Sequence, residues 1–115
     1  MLSPGLALKV SIHLNEDTSA ERDFLAPEIF SLLLSHGIAG ATLLRPQAGF
    51  GSHHRMHTSH GASVAGEHMP VRIEFIETRE KVEALLPELC ALVTDGLIEA
   101  QETNVVKAAM RQAPV

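Results

Sequence analysis

Residues 6–14, LALKVSIHL, alternate strictly between apolar side chains and side chains that are small, polar or charged. The even positions are Leu6, Leu8, Val10, Ile12 and Leu14, and the odd positions between them are Ala7, Lys9, Ser11 and His13. Because successive side chains of a strand point to opposite faces of a sheet, this pattern predicts a strand with one buried face. A chain that contains such a strand must pack other elements against its apolar side.

Two later segments have apolar residues at helical spacing and supply those elements. In the first, Pro27 fits the opening turn of a helix, and Gly37 is typical of its C-terminal end. In the second, Thr78 is a predicted N-cap, Pro87 lies inside the helix, and Gly96 is the predicted end. The two apolar stripes are Leu25, Ile29, Phe30, Leu32, Leu33 and Leu34, and Val82, Leu85, Leu86, Leu89, Leu92 and Val93.

Three more strands are predicted around these helices. ATLLRPQA at 41–48 is the second strand, MPVRIEFIE at 69–77 is the third, and a weaker fourth lies within 97–108. Pro46 predicts that its part of the second strand is at a sheet edge or a bulge. The order βαββαβ predicts an α+β, ferredoxin-like fold with a four-stranded antiparallel sheet and two helices on one face. We expect residues 1–115 to form a single domain.

The connection between the second and third strands is unusually long. Hairpin loops usually have about 2 to 5 residues, whereas this one needs about 15 to 20. Long loops in compact domains tend to be functional or disordered, so residues 50–66 are a candidate functional segment. The tail, residues 109–115, is predicted to fray.

Composition excludes several classes of function. The net charge is −5 and the chain has no Trp or Tyr, which disfavours both phosphate-backbone binding and base stacking, so no nucleic-acid partner is expected. No stretch has the apolar length of a membrane span and no signal-peptide pattern begins the sequence. Cys90 is the single cysteine and cannot form an internal disulfide, which fits a reducing compartment. We therefore expect a cytoplasmic protein without membrane insertion.

The sequence also favours a protein that is not an enzyme. Cys90 lies among the leucines of the second predicted helix, where a small packed residue is expected rather than a nucleophile. His13 is expected at the surface or in an interface rather than as a general base. No catalytic triad can be read from the sequence, because triads are defined by geometry.

The face of the sheet that the two helices leave uncovered has a mixed character. Its predicted members are Ala7, Lys9, Ser11, His13, Arg72 and Glu74. Two interpretations stay open. The face is either solvated, as one side of an antiparallel sheet often is, or it is a self-association surface with paired charges inside it.

The segments GIAGATLLRPQAGFGSHHRMHT at 37–58 and MPVRIEFIETREKVEALLPEL at 69–89 resemble the PII-like proteins known as domain of unknown function 190. The resemblance extends from about Leu8 to about Val106. It implies a ferredoxin-like protomer, a homotrimer whose sheets face inward, and a long loop like the T-loop of PII signalling proteins. In those relatives the loop meets the target protein, and its base helps to bind a nucleotide in the cleft between subunits. The sequence departs from this pattern at two places. Pro46 stands where family members usually have glycine after the arginine, and the short turn at 93–96 lacks the glycine–lysine pair of the PII nucleotide clamp.

The first interpretation of the loop is an anion site. Gly49 and Gly51 flank Phe50 at the end of a predicted strand, where glycines let backbone N–H groups turn toward an anion. Arg45 and Arg55 supply fork-shaped donors for phosphate oxygens. With the family resemblance, these residues predict a trimeric signalling protein. It would bind a small anionic effector, such as a nucleotide, and meet a target protein through residues 50–66.

The alternative is a metal site in the same loop, which contains four of the seven histidines. The candidate ligands are His53, His54, His57 and His60. Neutral imidazoles suit zinc, copper or nickel, and pairs three or four residues apart would share one face of a helical turn. This interpretation makes the protein a trimeric metal binder related in fold to copper-tolerance-type proteins. A change of loop charge through histidine protonation is a third interpretation. The sequence names no cofactor, so a nucleotide and a divalent metal both stay open.

Overall fold

The computed structural model describes residues 2–14, 25–46, 48–49, 57–58 and 71–111. The elements are β1 (Gly5–Leu14), α1 (Leu25–Ser35), β2 (Thr42–Leu44), β3 (Ala48–Gly49), β4 (His57–Thr58), β5 (Val71–Glu77), α2 (Arg79–Leu92) and β6 (Gly96–Val105). Four of these strands form one antiparallel sheet in the order β2-β5-β1-β6. The two helices pack on one face of it, which confirms the predicted ferredoxin-like α+β fold.

The strands differ from their predicted bounds in two places. The second predicted strand is split, because β2 ends at Leu44 and β3 begins only at Ala48. Strand β3 pairs with β4 instead of with the main sheet. Proline at position 46 has no N–H to donate to a ladder, which agrees with a break at this point. The fourth strand, expected to be weak, is instead ten residues long.

The core lies between the sheet and the two helices. On β1 the predicted alternation holds from Leu8 onward, whereas Leu6, near the strand start and opposite Asn104, is 79% exposed. Full burial of an aliphatic side chain, as at Leu8, Val10 and Ile12, contributes about 1.5–3 kcal/mol to the stability of the fold. The buried core consists of Leu8, Val10, Ile12 and Leu14 on β1, Ile73 and Phe75 on β5, Leu25, Ile29 and Leu33 on α1, Ile38 after it, and Val82, Leu85 and Leu89 on α2.

Helix α1 ends in a Schellman motif, as the glycine at position 37 predicts. Gly37 has a φ of +71° and donates its N–H to the Leu34 carbonyl at 3.0 Å. Ile38 donates to the Leu33 carbonyl at 3.1 Å and is itself buried. These bonds satisfy carbonyls that the end of a helix leaves without partners.

Helix α2 begins as predicted. The Thr78 side chain accepts a hydrogen bond from the Lys81 N–H, and Pro87 lies inside the helix. The predicted end was wrong, because α2 stops at Leu92 and Gly96 instead opens β6. A β-carbon at Gly96 would collide with the His13 carbonyl oxygen, so the close approach of two backbones requires glycine here rather than a helix cap.

We expect Gly37→Ala to lower the free energy of unfolding by about 1–2 kcal/mol, because an L-residue resists the left-handed conformation. Urea denaturation measures this difference. The control is Gly40→Ala, since a β-carbon at Gly40 meets no atom within 4 Å. Stability should be unchanged or slightly raised in the control, and an equal loss in both variants would contradict this account of the turn.

Candidate functional site

Glu74 occupies the middle of the sheet face that the helices leave uncovered. Arg72 Nε lies 3.0 Å from Glu74 Oε2, and Lys9 Nζ lies 3.9 Å from Glu74 Oε1. The Ser11 hydroxyl donates to Glu74 Oε2 at 3.4 Å. One carboxylate therefore faces two cations and a hydroxyl. Ser11 is only 6% exposed and lies on β1, an interior strand between β5 and β6.

A second polar contact joins β1 to β6 on the same face. His13 Nε2 lies 3.3 Å from Glu99 Oε1, and both side chains are partly exposed. Two cationic side chains, Lys9 and Arg72, thus share this face with two carboxylates, Glu74 and Glu99. With His13 neutral, the charges of these groups balance. The prediction that positions 7, 9, 11, 13, 72 and 74 share one face is confirmed by the strand register.

Exposed apolar residues surround this polar centre, and they were not predicted from the sequence. Leu44 and Ile76 are each 36% exposed and Leu97 is 57% exposed. The register places them on the same face, since Leu44 pairs with Arg72, Ile76 with Lys9 and Leu97 with His13. The alternation of side chains between the two faces of each strand could have identified them. We call this surface, with its polar centre and apolar rim, the open face.

Arg45 lies just beyond the end of β2 and is exposed. In the described ranges no carboxylate forms an ion pair with its guanidinium. The ladder of β3 and β4 follows it, with Ala48 opposite Thr58 and Gly49 opposite His57. The pairing of Gly49 with His57 brings together the two residues that bracket positions 50–56. Gly49 is also close to Arg45 along the chain.

The other predicted site residues lie outside the described residues. These are Gly51 and Arg55 of the anion site, with Phe50 between the glycines, and His53, His54 and His60 of the metal alternative. His57 is placed only through its backbone in β4. The structure therefore describes two of the four predicted effector ligands, Arg45 and Gly49. In the part of the chain that the structure describes, no group of three or more His, Cys, Asp or Glu side chains could hold a metal ion.

Glu77 is a buried carboxylate that was not predicted as a functional residue from the sequence. It is 1% exposed, and its oxygens accept hydrogen bonds from the Ala39 N–H at 3.1 Å and the Thr78 N–H at 3.0 Å. Its place in the alternation of β5, after Ile73 and Phe75 on the core face, is a signal that could have identified it. An acidic residue at a core position requires partners, and here backbone groups supply them.

A shallow cavity of about 210 Å³ lies at the opposite end of the sheet from Arg45. Leu6, Ala7 and Leu8 line it together with Arg79 and Glu102, whose Nη2 and Oε1 atoms are 3.5 Å apart. Both charged side chains are more than half exposed, so this ion pair stabilises the fold only slightly.

Cys90 corrects one prediction. It lies on α2 as expected, but its side chain is exposed and does not pack into the core. The buried stripe of α2 passes through Val82, Leu85 and Leu89 instead. Among the described residues no helix has the length and apolar character needed to cross a membrane.

Solved structures of other proteins share this fold. CPII, a nitrogen regulatory PII-like protein from Thiomonas intermedia K12, is similar in the form bound to ADP, AMP and bicarbonate. The match has 21% identity over 93% of this chain and 94% of that chain, with a TM-score of 0.66. The apo form of CPII gives 16% identity over 91% and 97% of the two chains and a TM-score of 0.56.

A second similar protein comes from Thermus thermophilus and is described as a PII-like signaling protein. It matches at 18% identity over 90% of this chain and 91% of that chain, with a TM-score of 0.60. At such identities these similarities show a shared fold. The sequence model of the DUF190 family, described as Uncharacterized ACR, matches residues 7–105. Because that match spans most of the sequence, the chain belongs to the DUF190 family.

Proposed function

We propose that the protein is a PII-like regulatory protein that forms a homotrimer and binds a small anionic effector, such as a nucleotide, in the cleft between subunits. Effector binding changes how residues 50–66 meet a target protein, as ligands do in other conformational switches. In this proposal the protein binds and signals without a catalytic step, in the cytoplasm, as a single domain. The observation that carries the proposal is the fold shared with CPII, which is described as bound to ADP, AMP and bicarbonate.

The open face supports the homotrimer. Its charges balance, so a second copy of the same face is a better partner than a strongly charged polymer. Its exposed leucine and isoleucine side chains gain free energy when they leave water, about 25 cal/mol for each Å² of apolar surface buried. Closed symmetry between copies covers this face without leaving an unpaired surface for further growth.

Arg45, Gly49, Gly51 and Arg55 are the proposed effector ligands. The guanidinium of Arg45 is exposed, and a planar guanidinium can form two parallel hydrogen bonds to phosphate oxygens. Gly49 directly precedes the segment that would respond and is paired with His57 within it, so a ligand held at Gly49 lies beside two separate parts of that segment. This arrangement supports coupling between effector and loop.

Thermal unfolding and calorimetric titration of the metal-stripped full chain test the proposal. ADP, AMP and bicarbonate form one set of probes, and zinc, copper and nickel salts form the other. A ligand that binds only the folded state raises Tm by mass action. A response to ADP or AMP is expected. A response to metals alone, lost in a His54→Ala/His57→Ala variant, would overturn the anion site and favour the histidines. No response to either set would contradict both.

Arg45→Ala should weaken ADP binding by about tenfold or more, because charge-assisted hydrogen bonds contribute about 1.5–3 kcal/mol. Calorimetric titration measures the change in Kd. The matched control is Arg111→Ala, which removes the same charge from an exposed position in the tail beyond β6. Equal losses in both variants would indicate a general charge effect, and unchanged binding in Arg45→Ala would remove this residue from the site.

A further inference from the structure

Strand β2 has few contacts that fix its register. It contains three residues, lies at an edge of the four-stranded sheet, and among the described strands pairs with β5 alone. Leu43 packs partly against the core, while Thr42 and Leu44 are exposed. A shift of one residue along β5 would turn every side chain of the strand to the other face. Contacts outside the backbone hydrogen bonds between β2 and β5 must therefore hold this strand in register.

The Glu77 carboxylate is well placed to do so. Its Oε2 atom accepts the Ala39 N–H at 3.1 Å, a short distance along the chain before β2 begins. Its Oε1 atom accepts the N–H of Thr78, the N-cap of α2. The carboxylate thus joins the turn before β2 to the strand that β2 pairs with. The N-terminus of α2 also favours a negative charge at this position.

A second contact holds the same turn from the side of α2. Lys81 Nζ donates a hydrogen bond to the Gly37 carbonyl at 3.0 Å. Gly37 and Ile38 are fixed in turn by their bonds to the end of α1. The segment from Gly37 to Ala39 is therefore attached to α1, to β5 and to α2 before the chain enters β2.

We propose that Glu77 is a positioning residue that sets the register of β2 and thereby places Arg45 for effector binding. The placement of Arg45 for the effector rests on the proposed function, whereas the register of β2 concerns the fold alone. Glu77 does not touch the effector, since it lies buried on the core face at the far end of β5 from the residue paired with Leu44. It acts through Ala39 and the strand that follows.

Amide hydrogen exchange followed by NMR tests whether Glu77 sets the register of β2. Glu77→Gln keeps the size of the side chain but exchanges one acceptor oxygen for an N–H donor. We expect the Ala39 and β2 amides to exchange about tenfold faster, as for the loss of a buried charge-assisted bond, while the central amides of β1 and α2 keep their protection. Glu80→Gln is the matched control, because it makes the same chemical change at an exposed position of α2. Wild-type protection of β2 in Glu77→Gln would overturn the proposal, as would an equal acceleration at every amide.

Two further measurements separate this proposal from a simple loss of stability. Lys81→Met removes the contact to Gly37 from an exposed position, so it should fold normally and accelerate the same amides by a smaller factor, even if Glu77→Gln fails to fold. ADP affinity should fall about fivefold in Glu77→Gln, because only the fraction of molecules with β2 in register is competent. Failure of the wild-type protein to bind ADP would refute the proposed function, and the exchange rates would still decide whether Glu77 sets the register. A register effect with unchanged ADP affinity would confine Glu77 to the fold and overturn its role at the site.

Discussion

Leu33→Ala should lower the free energy of unfolding by about 3 kcal/mol, whereas Leu34→Ala should change it by less than about 0.5 kcal/mol. The two residues are neighbours on α1, but Leu33 is 2% exposed and Leu34 is 76% exposed. Truncation of the buried side chain loses its transfer free energy and leaves a cavity between helix and sheet. Truncation of the exposed one removes few contacts.

The pair is a stringent test of how α1 is oriented on the sheet. Both substitutions have the same chemistry and nearly the same helix context, so propensity cancels between them. Urea denaturation of both variants gives the difference directly, provided that the slope m is unchanged. A loss at Leu34 as large as that at Leu33 would mean that the outer side of α1 is also covered, by another subunit or by a segment outside the described residues.

The order of elements could be predicted because each one has a local signal. Strand β1 shows its alternation and α1 its apolar stripe, and Gly37 and Thr78 are residues whose backbone or side-chain chemistry suits the ends of helices. The family resemblance then agrees with this order. These signals operate over a few residues and do not depend on distant parts of the chain.

Features that depend on tertiary contact were not predicted. Gly96 was interpreted as a helix end, but its lack of a side chain serves the close approach to the His13 carbonyl, which lies far away in sequence. Cys90 was expected to pack among leucines, but its side chain is exposed. It follows the buried Leu89 by one residue, and successive residues of a helix lie on different sides of it. The buried Glu77 carboxylate accepts a hydrogen bond from the Ala39 N–H, and no pattern within β5 indicates this partner.

The candidate site was predicted only in part for a similar reason. Arg45 and Gly49 lie at the base of the loop, where the ends of β2 and β3 place them. The apolar rim of the open face follows from strand register, which pairs Leu97 with His13. The assignment of Gly51 and Arg55 as effector ligands, by contrast, stays a prediction from composition and resemblance.

Glu74→Lys should convert the proposed homotrimer to monomers. The substitution places a third cation beside Lys9 and Arg72, which face Glu74 from 3.9 and 3.0 Å. Like charges within an interface cost several kcal/mol, so the dissociation constant should rise by at least about a hundredfold. Sedimentation velocity should then give the 12.4 kDa mass of one chain, whereas three times that mass is expected for the wild-type protein if it forms the proposed homotrimer.

Glu28→Lys is the control for this experiment, because it makes the same change in net charge on the exposed first turn of α1, on the helical side of the sheet. It should sediment as the wild-type protein does. Circular dichroism checks that each variant folds. If Glu74→Lys unfolds, Leu97→Lys places a charge on the same face at a side chain that is 57% exposed and contributes little to the core. A folded Leu97→Lys variant that remains trimeric would show that the subunits associate through a different surface, and the open face would then be solvated.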